Sequence, residues 1–129
     1  MARPKQEQPT PAELEVLQVL WERGPMTVRQ VMEVLGAKKP RAYTSVMSLM
    51  SDMAEKGLLV RRAQGKAFVY APAAPREKTL GNLLGDLLQR AFGGSASALV
   101  AHLLNKTSPK ELEKIRETIE AHKRKTGGE

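Results

Sequence analysis

A chain of 129 residues has room for one domain, or for a small module with a compact appendage, but not for two large cores. Hydrophobic residues make up 41% and charged residues 27%, a globular balance, and so few are aromatic that Leu, Val, Met and Ala must supply most of the core. Lys and Arg number 21 against 14 Asp and Glu, and the resulting net charge of +7 favours an anionic partner, nucleic acid before an anionic membrane surface; the lack of Cys excludes disulfides, cysteine nucleophiles and thiolate metal sites.

Residues 1–9 are polar and contain proline, which predicts a flexible arm. The start "MARPKQEQPTP" lacks the apolar stretch of a signal peptide, and no later run approaches the ~20 apolar residues of a membrane span. A cytoplasmic protein with no membrane insertion is therefore expected. In "TPAE", Thr10 stands at an N-cap, Pro11 at the first helical position and Glu13 three residues after the cap, a capping box. Leu14, Leu17, Leu20 and Trp21 follow at helical spacing until "RGP" stops the helix.

A second box, Thr27 to Gln30, opens a short helix bearing Val28, Val31, Met32 and Leu35 before Gly36. After the basic loop "AKKPR", the spacing predicts a third helix from about Pro40 to Lys56. Val46, Leu49, Met50 and Met53 share its apolar side, and Gly57 caps its end. Then "LLVRRA" and "AFVYA" flank "QGK" as two short strands with a tight turn. Leu59 or Val60, and Phe68 or Tyr70, are available to face inward, and Pro72 and Pro75 end the pairing. Three helices and a hairpin in this order describe a winged helix-turn-helix over residues 10–74.

From residue 75 to 129 the pattern is purely helical, so the fold class is mainly α with a small β-hairpin. Leu80, Leu83, Leu84, Leu87, Leu88 and Phe92 form a wide apolar stripe that stops at Gly93 and Gly94. Leu99, Val100, Leu103 and Leu104 mark a second helix. "SPKE" is a further capping box, opening a third with Leu112, Ile115 and Ile119 on one side and "HKRK" in its last turn. These apolar side chains exceed what three short helices bury among themselves, so Leu80, Leu84, Leu87, Leu88, Phe92, Leu99, Leu103, Leu112, Ile115 and Ile119 are candidates for dimerisation with a second copy.

With its apolar side packed inward, the third helix turns Arg41, Tyr43, Thr44, Ser45, Met47, Ser48 and Asp52 outward or to its flanks. Short hydroxyls reach base edges or phosphates, and a Met or Thr methyl can contact the thymine methyl in a major groove. Between Lys38 and Lys66 there are seven cations against two anions, so this span carries +5 of the total +7, as phosphate anchoring requires. Enzyme chemistry finds no foothold. His102 and His122 lie on different predicted helices, without a nucleophile motif or a glycine-rich phosphate loop. No catalytic residue, metal or cofactor is expected.

The segments "PAELEVLQVLWERGPMTVRQVMEVL", "AYTSVMSLMSDMAEKGLLVRR", "GKAFVYAP", "FGGSASALVAHLLN" and "SPKELEKIRETIE" resemble, in order and spacing, the penicillinase-repressor (BlaI/MecI) family of bacterial regulators, which includes copper-responsive members. The resemblance implies a homodimer of winged helix-turn-helix heads on a helical base, repressing transcription at a palindromic promoter dyad in double-stranded DNA. By position it implies that Thr44, Ser45, Met47 and Ser48 face bases, that Tyr43 and Arg41 contact the backbone, and that Arg62 and Lys66 belong to the wing. Three departures bound it. The cysteine cluster of the copper-responsive members is absent. Penicillinase repressors are inactivated by a membrane sensor protease cutting an Asn-Phe bond, where this chain has His102 and Leu103. Met47 stands where some relatives have a cation, which leaves room for a different operator sequence. The alternative to a repressor is a winged-helix protein-interaction subunit without specific DNA binding, motivated by the uncharged middle of the third helix.

Overall fold

The computed structural model describes residues 8–127, so most of the arm expected over residues 1–9 lies outside the described residues. Helix α1 runs Pro11–Arg23, α2 Val28–Gly36 and α3 Tyr43–Lys56. Strands β1, Leu59–Gln64, and β2, Ala67–Pro72, follow, and helices α4, Arg76–Phe92, α5, Ala96–Leu104, and α6, Pro109–Lys125, complete the chain.

Both expected N-terminal boxes close. Thr10 Oγ1 accepts the Glu13 N–H at 3.2 Å while the Thr10 N–H donates to Glu13 Oε1 at 2.9 Å. Thr27 and Gln30 repeat the pair at the same two distances. Each box satisfies backbone donors that a helix start leaves without intrahelical acceptors. At α6, Ser108 Oγ accepts the Glu111 N–H at 3.1 Å, the serine half of such a box. Helix α3 starts later than about Pro40, its expected first residue: Pro40 and Arg41 precede it, and Ala42 is an N-cap with no side-chain bond. A proline opens a helix readily, but here the backbone is still extended at Ala42, with ψ 141°, so the helical turns begin only at Tyr43.

Val16, Leu17 and Leu20 of α1, Val31 of α2, and Val46, Met50 and Met53 of α3 interlock in a core closed by Leu58, Leu59 and Tyr70. The two hairpin ambiguities are thereby resolved: Leu59 and Tyr70 go inward, while Val60 and Phe68 stay exposed. Helix α3 ends at Gly57 with φ 90°, ψ 10°, a left-handed turn that lets the Leu58 N–H donate to Met53 O at 2.9 Å. Strands β1 and β2 pair antiparallel from Leu59 opposite Pro72 to Gln64 opposite Ala67. Pro72 does not end the association, because the Ala73 N–H still donates to Leu58 O at 2.9 Å. A third short partner, which the sequence did not announce, joins the hairpin: Met26 pairs with Tyr70 through N–H···O bonds of 3.0 and 2.8 Å.

The chain divides into two compact units, one through Leu84 and one from Gly85 onward. In the second, Gly93 and Gly94 turn left-handed after α4, with the Gly94 N–H donating to Leu88 O at 2.9 Å. The Phe92 and His102 rings meet edge to face, their centroids 5.3 Å apart. No side chain of α4, α5 or α6 is buried among the described residues. Of the ten dimerisation candidates, Leu80, Leu88, Phe92, Leu99 and Ile115 are half-buried, whereas Leu84, Leu87, Leu103, Leu112 and Ile119 are exposed. Among the described residues no helix is long and apolar enough to cross a membrane.

Candidate nucleic-acid interface

Burial of Val46, Met50 and Met53 orients α3, and helical geometry then turns the opposite side outward. Thr44, Ser45, Met47 and Ser48 are all exposed, and no charged residue stands between Arg41 and Asp52. This surface presents hydroxyls and one thioether, groups that can donate, accept or make apolar contact with base edges.

Beside it lies an open groove of about 380 Å³ lined by Thr27, Val28, Arg29, Tyr43, Met47, Lys66, Ala67, Phe68 and Tyr70. The Met26–Tyr70 bridge creates this groove by stitching the start of α2 to β2. Tyr43, Met47 and Phe68 keep 40, 41 and 45% of their surface exposed around it, a concentration of large apolar groups that pure solvation does not call for.

The hairpin sorts its cations by strand alternation. Arg61 stands opposite Tyr70, on the face that carries Leu59 and Phe68, whereas Arg62 stands opposite Val69 on the other face. The Arg61 guanidinium lies 4.6 Å from the Phe68 ring centroid and donates to the Tyr70 hydroxyl at 3.3 Å. Lys66 occupies the turn and borders the groove.

Two of the seven cations are committed elsewhere. Lys56 donates to buried Glu13 at 2.7 Å, and Arg41 bonds Glu15 at 3.1 Å while its Nε is buried without a partner among the described residues. Burial by itself would raise the Glu13 pKa, but the Lys56 ammonium together with the backbone and hydroxyl of Thr10 holds its carboxyl below the usual carboxylate range.

Of the residues singled out from sequence, Tyr43, Met47 and Lys66 come together around the groove, Thr44, Ser45 and Ser48 line the open side of α3, Arg62 projects from the opposite face of the hairpin, and Arg41 is turned toward α1. Two further residues join them. Arg61 was legible in principle, because it is two positions from inward-facing Leu59. Arg29 has no local signal, since it is the packing of α2 on α3 that brings it beside Tyr43, with its Cζ 5.2 Å from the ring centroid. No group of three or more His, Asp or Glu that could hold a metal occurs among the described residues.

A sequence profile described as "Penicillinase repressor" matches residues 9–121. The chain belongs to the penicillinase repressor family. It is 34% identical over 109 residues to the "Transcriptional regulator BlaI" of Mycobacterium tuberculosis, covering 83% of this chain and 79% of that protein. It is 24% identical over 114 residues to the "Penicillinase repressor" of Bacillus licheniformis, covering 87% and 89% of the two chains. Among solved structures, the DNA-binding domain of the repressor BlaI superposes with a TM-score of 0.51 at 26% identity, over 57% of this chain and 90% of that one. The family's winged-helix architecture is thus the one built here by α1 to α3 and the hairpin.

Proposed function

We infer that this member of the penicillinase repressor family is a sequence-specific DNA-binding transcriptional repressor that acts as a homodimer on a palindromic promoter operator. The observation that carries the reading is the uncharged, hydroxyl-bearing face of α3 set beside a cationic hairpin, the division of labour in which phosphate contacts position a protein and base contacts specify its site. Relatives bearing the names transcriptional regulator and penicillinase repressor support it.

In this reading residues 10–74 are the DNA-binding head, where Thr44, Ser45, Met47 and Ser48 read bases and Tyr43, Arg62 and Lys66 hold the backbone. Arg41 joins the backbone contacts only by leaving Glu15, which bonds its guanidinium and turns it toward α1. Residues 75–129 form the dimer base. The support for a second copy is apolar area, since among the described residues α4, α5 and α6 bury no side chain fully. A two-fold dimer matches a dyad whose half-sites are about one helical turn or a multiple apart. A cytoplasmic location follows from this role. Proteolytic release would require α5 to unwind first, because His102 and Leu103 lie inside that helix and His102 packs on Phe92.

The test is binding of the purified protein to the duplex upstream of its own gene and to a shuffled duplex across a salt series. Dyad-dependent binding that persists at moderate salt is the expected result. Equal binding to both duplexes, collapsing steeply with salt, would leave only electrostatic association and would favour a winged-helix subunit that captures a protein through the same apolar groove.

A further inference from the structure

The first turn of α2 carries an arginine outside the basic span from Lys38 to Lys66. We propose that Arg29 anchors the DNA sugar-phosphate backbone and positions Tyr43, so that the groove between α2, α3 and the hairpin holds one strand of the duplex; this rests on the operator-binding reading above. Neither the spacing of the motifs nor the family resemblance singled out this residue.

Three features place it there. The Met26–Tyr70 bonds of 3.0 and 2.8 Å fasten the chain just before α2 to β2, and the Thr27 box fixes the first helical turn. Arg29 is therefore held at the junction of three elements rather than on a loose loop. Its guanidinium Cζ then lies 5.2 Å from the Tyr43 ring centroid. A guanidinium held against an aromatic ring keeps its charge, while its N–H edges remain in the geometry that suits a phosphate.

The occupant is argued from charge and shape together. Arg29 and Lys66 border the groove, and Tyr43, Met47 and Phe68 supply apolar walls, a combination that meets phosphate oxygens with cations and deoxyribose with carbon and sulfur. The N-terminal end of the α2 dipole faces the same space and favours the same sign of ligand. Arg61, on the hairpin face of Phe68 with its guanidinium 4.6 Å from that ring, adds a further cation beside the groove.

The experiment uses the full chain with the upstream dyad duplex and its shuffled counterpart across a salt series, comparing wild type with Arg29→Ala, Arg29→Lys and Tyr43→Leu. Arg29→Ala should bind both duplexes roughly tenfold more weakly and lower the slope of log affinity against log salt by about one for each bound head. Arg29→Lys should restore the slope and only part of the affinity. Tyr43→Leu should keep the slope and lose affinity, because the arginine remains but its platform is gone. If wild type prefers its dyad and Arg29→Ala changes neither slope nor affinity, the inference is overturned and the repressor reading stands. A loss of affinity at unchanged slope in Arg29→Ala overturns the phosphate contact. If wild type shows no dyad preference yet Arg29→Ala still lowers the slope, the phosphate anchor stands and operator recognition fails.

Discussion

Lys56, the last residue of α3, donates to Glu13 Oε2 at 2.7 Å, while the other carboxylate oxygen of Glu13 accepts the Thr10 N–H at 2.9 Å. One side chain thus caps α1 and ties it to the far end of the helix proposed to read DNA. Lys56 is half exposed, so solvent screens part of the attraction, but Glu13 is buried and depends on its partners to remain ionised. Replacing Glu13 by Gln keeps an amide oxygen for the cap, as Gln30 does in α2, and removes only the charge. It should cost about 1–2 kcal/mol, lowering Tm by roughly 4–8 °C per kcal/mol in a unit of this size.

The pH dependence has a definite sign. The folded pKa of Glu13 lies below its ordinary value of 4.5, so its contribution is complete above that value and is lost as pH falls through the folded pKa. Thermal melts of wild type and Glu13→Gln should therefore differ at neutral pH and converge as pH falls below 4.5 and through the folded pKa. A gap that stays constant over that range would show that the ion pair contributes nothing to stability.

Base reading and phosphate holding separate by mutation. Thr44→Ala combined with Ser48→Ala should reduce preference for the dyad over a shuffled duplex by about 10-fold to 100-fold without altering the salt slope or the melting temperature. Lys66→Ala should weaken both duplexes alike and lower the slope by about one per head. Fluorescence anisotropy titrations at several salt concentrations check both. Selectivity surviving the first pair of substitutions would remove Thr44 and Ser48 from the readout.

Dimerisation is tested at residues that a single chain leaves open. Leu87 and Leu103 retain 47% and 46% of their surface. Changing both to Ala removes about 1 kcal/mol of the burial left to a partner at each site in each copy, about 4 kcal/mol over the dimer, so the dimer dissociation constant should rise by about a thousandfold. Light scattering over a concentration series reads this directly, with circular dichroism to verify that the helices persist. Wild type remaining a monomer at high concentration would overturn the dimer.

The indole of Trp21 donates to Ala74 O at 3.2 Å, linking α1 to the segment after the hairpin. Trp21→Phe keeps most of the apolar surface and leaves that half-buried carbonyl without its partner. A loss of about 1 kcal/mol in urea unfolding is expected, with DNA selectivity retained.

Much of this protein is local and therefore readable along the chain. Thr10, Thr27 and Ser108 announce helix starts because a cap is satisfied within three residues, and Gly57, Gly93 and Gly94 announce stops because a left-handed turn needs no distant partner. The apolar period of α3 also determined which of its sides faces out, and hence Thr44, Ser45, Met47 and Ser48 as the candidate readers. What the tertiary structure decided is everything that depends on which distant group arrives. A short strand offers two equivalent faces, and only the helical layer against it selected Leu59 over Val60, and covered Tyr70 but not Phe68 two positions away on the same face. Glu15 turned Arg41 toward α1, Glu13 took Lys56 out of the cationic surface, and the packing of α2 on α3 carried Arg29 to Tyr43. Charge can be counted in a sequence, but which charges are spent inside the fold depends on contacts between residues far apart in the chain, and those exist only once the core has closed.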